Sequence, residues 1–244
     1  MRREISKWYS PNLQKEMDIV AYGDYGFALL LFPTAAADYL EYERFLLIDE
    51  LKPYIEAGKC KVYSINSINS ESWLNDEMHP RDKAVRHQQF NDYVTDEVVP
   101  FIIKDCNGEV PIYTSGASLG ALHSANNFFR RPDLFAGTIA MSGSYDLQDY
   151  SKGYFDETCY FNSPVAYLPN LTDENILNEL RKSQHIHILT GQGSYENPQA
   201  SETLAEILNS KNIPNDLELW GKDVPHDWPT WRKMLPYVLA TKFN

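Results

Sequence analysis

A serine hydroxyl is a weak nucleophile until a base takes its proton, and an imidazole does this best when a carboxylate holds it from behind. The chain offers the serine in Gly116-Ala117-Ser118-Leu119-Gly120. Val110 to Thr114, just before it, is apolar and β-branched and reads as a short buried strand. Leu119 to Arg130, just after it, carries Leu119, Leu122, Ala125 and Phe128/Phe129 on one helical stripe. A G-x-S-x-G sequence between a strand and a helix predicts a sharp turn whose glycines, lacking Cβ atoms, let the two elements pass closely. Such a turn raises the Ser118 hydroxyl above the sheet, at a positive helix N-terminus that favours a developing anion. The blander reading of the same five residues is a softened turn whose serine only caps the helix.

Of the six histidines, His226 is the best placed to act as the base. It lies after the last strand, in Asp223-Val224-Pro225-His226-Asp227-Trp228, where a side chain can reach over the sheet edge. His185 and His187 alternate within a strand, and His123 sits one turn past Ser118 on the helix, so all three read as structural. His79, near the end of a polar loop, is the reserve. For the acid, Glu196 in Gly193-Ser194-Tyr195-Glu196-Asn197-Pro198 follows the seventh strand. The competing reading makes Glu196 a helix-start charge and gives His226 to Asp223 or Asp227. An oxyanion hole needs two backbone N–H donors. Leu119, after the serine, supplies one; Thr34 or Ala35, in the small-residue loop after the third strand, supplies the other, since Pro33 has no N–H. Trp73, Tyr195 and Trp228 are candidates to line the site, each equally suited to packing.

These residues need a scaffold, and the chain reads as one domain over residues 1–244, with no repeat or linker-like shift. Ile5 to Tyr9 and Met17 to Tyr22 are extended segments joined through Pro11-Asn12. Gly26 to Phe32 is a continuous apolar run, as in a strand covered on both faces. It leads through Pro33 to Asp38 into a helical stretch ending at Gly58, and Lys61 to Ile65 is the next strand. Ala84 to Lys104 is amphipathic, with Pro100 expected to kink or break it. Gly137 to Ser142, His185 to Leu189 and Leu217 to Trp220 complete the strands, with helices over Pro198 to Leu208 and Pro229 to Lys242. The alternation predicts an α/β fold: a mostly parallel sheet of about eight strands with helices on both faces. Residues 144–183, dense in tyrosine and phenylalanine, interrupt it after the sixth strand as a short cover segment or a packed surface loop.

Composition bounds the chemistry. The formal charge of −12 argues against nucleic acid or anionic lipid as the main partner, because both need basic patches. No apolar run reaches membrane-spanning or signal-peptide length, so a cytoplasmic location without a membrane partner is expected. Cys60, Cys106 and Cys159 lack C-x-x-C spacing, which implies neither a zinc site nor a disulfide framework, and no metal or other cofactor is expected.

Taken together, Gly116-Ala117-Ser118-Leu119-Gly120, Gly193-Ser194-Tyr195-Glu196 and His226-Asp227-Trp228 before Trp231-Arg232 resemble the α/β-hydrolase superfamily. The likeness is to its putative esterase group, which includes esterase D, feruloyl and acetylxylan esterases and polyhydroxybutyrate depolymerases. It spans about residues 5–240 and implies ester hydrolysis without fixing a substrate. Two departures stand out: the group usually carries Asp as its acid, where this chain has Glu196. It also usually carries a glycine-bearing oxyanion loop, where this chain has Phe32-Pro33-Thr34-Ala35. The expectation is a serine esterase acting on a small-molecule ester through an acyl-enzyme on Ser118. An acyltransferase would use the same triad, and a hydrolase fold turned into a binding protein would have lost one of its members; none is missing.

Overall fold

In the computed structural model, which describes residues 1–243, eight strands form one sheet. They are β1 (Arg3–Ser10), β2 (Lys15–Tyr22), β3 (Phe27–Phe32), β4 (Cys60–Ile65), β5 (Ile112–Ala117), β6 (Gly137–Met141), β7 (His185–Thr190) and β8 (Asp216–Leu219). Their order is β1-β2-β4-β3-β5-β6-β7-β8. The pairs β1–β2 and β2–β4 are antiparallel and the remaining pairs parallel. The helices are α1 (Glu41–Arg44), α2 (Leu47–Glu56), α3 (Pro80–Tyr93), α4 (Val99–Asp105), α5 (Leu119–Arg130), α6 (Gln148–Ser151), α7 (Glu157–Tyr160), α8 (Pro164–Tyr167), α9 (Glu174–Lys182), α10 (Pro198–Ser210) and α11 (Trp228–Thr241).

The two-residue period of a strand divides β3 between two cores. Ala28, Leu30 and Phe32 pack with Phe90, Tyr93, Ala121, Ala125, Phe128 and Leu204, under α3, α5 and α10. Leu29 and Leu31 pack with Leu47, Leu51, Trp231, Leu235 and Leu239, under α2 and α11. A strand buried on both faces must be apolar throughout, which is why this stretch reads as an unbroken run.

Two differences from the sequence reading have clear causes. β5 runs on to Ala117, directly against Ser118, because Ser115, Gly116 and Ala117 pair in register with Ile139, Ala140 and Met141. Pro100 neither ends nor visibly breaks its helix: Val94–Val98 widens into a π-turn just before it, and Pro100 then falls in the first turn of α4. The widened turn is where a continuous helix can take up a proline, which lacks the N–H and crowds the carbonyl one turn back. The segment over 144–183 is built from α6, α7, α8 and α9. Its Tyr145, Tyr167 and Leu168 are buried against the α5 side of the core, while Phe155 and Phe161 are exposed. Among the described residues no helix is long and apolar enough to cross a membrane.

Candidate active site

Ser118 sits between β5 and α5 at φ 58°, ψ −125°. A serine rarely adopts a positive φ, and neighbours must hold it there. Ser118 N–H donates to Met141 O at 3.0 Å, which ties the turn to β6. Close packing does the rest. A Cβ on Gly116 would collide with the Gly120 carbonyl, and one on Gly120 with the carbonyls of Phe32 and Pro33. The glycines of the motif are therefore demanded by strand, helix and loop meeting at one point.

His226 reaches the serine from the other side of the sheet end. Its Nε2 lies 2.9 Å from Ser118 Oγ, and its Nδ1 lies 3.4 Å from Glu196 Oε2. Two backbone bonds join the acid loop to the histidine loop: Gly193 N–H donates to Val224 O at 2.9 Å, and His226 N–H to Ser194 O at 3.0 Å. With the Nδ1 proton donated to the carboxylate, Nε2 is left as an acceptor for the serine hydroxyl. Trp231 packs edge-on to the imidazole, ring centroids 5.1 Å apart.

Glu196 is not a helix-start charge. Its side chain is fully buried, against 24% exposure for that of His226. Ser142 Oγ donates to Glu196 Oε1 at 2.7 Å, Thr190 Oγ1 lies 3.1 Å from Oε2, and Trp231 Nε1–H donates to Ser142 Oγ at 3.0 Å. Burial alone pushes the Glu196 carboxyl up, but the hydrogen bonds from His226 and Ser142, the imidazole's charge and the bond from Thr190 outweigh it and hold it below its ordinary value. The group stays ionised inside the protein. Asp227 instead caps α11 through a bond from Trp228 N–H at 2.7 Å, and Asp223 is exposed. His79, the reserve histidine, caps α3 by accepting from Arg81 N–H at 3.2 Å. Ser142 and Thr190 were not singled out in the sequence, and Trp231 was named there only within the motif that follows His226, with no role. They come from three separate elements, and no local pattern marks them.

The oxyanion candidates divide. Leu119 begins α5 and its N–H is one of the donors a helix leaves unpaired; here it donates to Thr34 O at 3.2 Å. Thr34 is corrected as a donor, because its N–H is already given to Glu41 Oε2 at 2.8 Å and its hydroxyl to Glu41 Oε1 at 2.7 Å. Ala35 is exposed, and its N–H has no hydrogen-bond partner among the described residues. Two of the three aromatic candidates are corrected as well. Trp73 is 3% exposed and gives its Nε1–H to His87 Nδ1 at 2.9 Å, so it packs beneath Leu119 and does not line a surface site. Trp228 is 8% exposed and stacks on Phe45 with centroids 4.4 Å apart, wedged against Tyr42 and Trp231. Tyr195, next to Glu196, is 94% exposed and free to meet a ligand. Among the described residues no three His, Cys, Asp or Glu side chains gather as a metal site.

A hydroxyl, an imidazole and a buried carboxylate in line form an arrangement suited to nucleophilic attack on an acyl carbon. Residues 64–241 match the model of the family described as Putative esterase. No curated protein matches the chain. Solved structures share its fold. A ferulic acid esterase superposes with a TM-score of 0.75 at 17% identity, covering 97% of each chain. The S-formylglutathione hydrolase of Staphylococcus aureus superposes at 0.69 with 14% identity, over 100% of this chain and 96% of that one. A fluorophosphonate-binding serine hydrolase of Staphylococcus aureus, solved with substrate bound, gives 0.71 at 15% identity, over 100% and 98%. The architecture is that of the α/β-hydrolases.

Proposed function

This chain belongs to the putative esterase family, and from that premise we propose that it is a serine-dependent carboxylic ester hydrolase, with Ser118 as nucleophile, His226 as base and Glu196 as the acid behind it. One observation carries the reading: Ser118 Oγ lies 2.9 Å from Nε2 of an imidazole whose other nitrogen faces a fully buried carboxylate.

As Ser118 Oγ attacks the ester carbonyl, its proton passes to His226 Nε2, and the carbonyl electrons move onto oxygen. Glu196, held ionised by its hydrogen bonds, stabilises the imidazolium that forms. Collapse of the tetrahedral intermediate breaks the bond to the leaving alcohol, which takes the proton back from Nε2. Water then attacks the acyl-enzyme, giving its proton to His226 Nε2; the acyl–Oγ bond breaks, Nε2 returns the proton to Ser118, and the carboxylic acid leaves.

The test is a series of p-nitrophenyl esters of increasing acyl length, with and without an added alcohol. Release of free acid in proportion to nitrophenol supports hydrolysis. Transfer of the acyl group to the alcohol as the dominant outcome would make the protein an acyltransferase, and no turnover on any ester would contradict the proposal.

A further inference from the structure

An oxyanion hole on this scaffold requires Leu119 N–H to face the substrate, yet that amide is occupied by Thr34 O at 3.2 Å. In a trans peptide the carbonyl and the following N–H point in opposite directions, and every peptide in the described chain is trans. The unit that sets Thr34 O on Leu119 therefore turns Ala35 N–H away from it. In this arrangement the two amides cannot converge on one oxygen.

The neighbouring peptides are fixed. On one side, Glu41 takes both Thr34 N–H at 2.8 Å and Thr34 Oγ1 at 2.7 Å, and Glu41 is itself only 5% exposed. On the other, Asn69 Nδ2 donates to Ala35 O at 3.1 Å, and Asn69 Oδ1 is in turn bonded to His123 Nε2 at 2.9 Å. Asn69 and His123 are both buried. Between these anchors the Thr34–Ala35 peptide has one hydrogen bond, the longest of the set, and a partnerless N–H. A single peptide between fixed flanks can turn over through opposite changes of ψ at Thr34 and φ at Ala35, moving nothing else.

Resting on the esterase reading, we propose that the Thr34–Ala35 peptide rotates during catalysis, with Glu41 and Asn69 as the positioning residues that confine the motion to that one unit. Thr34 O leaves Leu119, and Ala35 N–H swings into the space it occupied, so that both amides donate to the oxyanion. The negative charge drives the exchange, because hydrogen bonds to an ionised acceptor are roughly twice as strong as those to a neutral carbonyl. No covalent bond is made or broken in the rotation. Ala35 starts from a negative φ, and turning the peptide over carries φ to the positive side, where glycine is at ease and alanine is not. Alanine at 35 thus weights the resting enzyme toward the closed form.

Two consequences separate this from a purely structural loop. Ala35→Gly should raise kcat by about fivefold, the lower end of the left-handed penalty, with KM within about twofold. Glu41→Ala should lower kcat by about tenfold or more at little-changed KM, while Glu41→Gln, whose amide oxygen still accepts Thr34 N–H, should recover most of it. The deciding experiment is a pair of crystal structures, of the free enzyme and of the enzyme phosphonylated on Ser118 by a fluorophosphonate. The expected adduct has its phosphoryl oxygen about 3 Å from both Leu119 N and Ala35 N. Thr34 O is displaced in it, and the Glu41–Thr34 and Asn69–Ala35 bonds are intact. An adduct with Thr34 O still on Leu119 N would overturn the rotation and leave the esterase reading standing. Failure of Ser118 to form any adduct would overturn both.

Discussion

Two histidine networks sit in contrasting surroundings: His226 meets Ser118, and His123 reaches the Ala35 carbonyl through Asn69. His226 is a quarter exposed and lies between a hydroxyl and a buried carboxylate. His123 is 2% exposed, bonds to the neutral carboxamide of Asn69, and is enclosed by Phe32, Phe90 and His87. Burial with no anion to answer it pushes His123 down to about 3. Burial, aided by His123 and Arg130, holds His87 well below its ordinary value too. Neither ring can usefully take a proton at neutral pH. The comparison teaches that surroundings set what an imidazole can do: His226 has a carboxylate beside it and access to solvent, and His123 has neither. On the proposed mechanism the same side chain serves as a proton carrier at His226 and as a strut at His123.

The largest expected effect comes from breaking the first network. Ser118→Ala and His226→Ala should each lower kcat by about 10⁴-fold or more, and nearly as much together as singly, because they act as a unit. Their thermal unfolding should stay close to wild type; steady-state kinetics beside a melting curve would check both halves. Glu196→Gln comes next, with a loss of about 10³–10⁴ in kcat, since an amide can favour the wrong tautomer and cannot stabilise the imidazolium. Glu196→Asp should keep part of the activity, having the charge without the reach. Near-normal turnover in the glutamine variant would move the acid role to the Asp223–Trp228 loop.

Breaking the second network should show first in stability. His123→Ala leaves a cavity beside Phe32 and removes the partner of Asn69, and should cost about 2–4 kcal/mol in denaturant unfolding. The smallest effect is on pH. Because the folded pKa values of His87 and His123 lie below the ordinary 6.5, the unfolded chain binds protons first as pH falls. The contribution of both rings is intact above about pH 7 and is lost as pH drops through 6.5; for His123 the loss continues toward its folded value of about 3 and reaches about 2 kcal/mol at pH 5. Denaturation midpoints at pH 7 and pH 5 should show this loss, and the part due to one ring should vanish in His123→Ala. An unchanged difference would mean that the acid sensitivity arises elsewhere.

The two networks were unequally legible in the sequence. Ser118 announces itself by a five-residue motif in a strand–helix context, and His226 and Glu196 by chain order, because each lies in a loop at the end of a strand that the alternation already places. The sheet followed from apolar runs such as Gly26–Phe32, whose burial on both faces leaves an unmistakable pattern. What stayed hidden is contact between distant segments. Ser142 closes on Glu196 across 54 residues. Glu41 claims the Thr34 amide in the loop after β3. A small-residue loop tells where a substrate can approach and nothing of which way its peptides face. Trp73 and Trp228 failed as lining residues for a similar reason: an aromatic in a loop is equally fit for a surface or a core, and packing decides.

The central claim is that His226 activates Ser118. The most direct measurement is the intact mass of the protein after brief exposure to a fluorophosphonate, with the adduct mapped by peptide sequencing. The account predicts one adduct, on Ser118, absent from Ser118→Ala and slowed by several orders of magnitude in His226→Ala. An adduct on another residue, or labelling of Ser118 that is indifferent to His226→Ala, would contradict it.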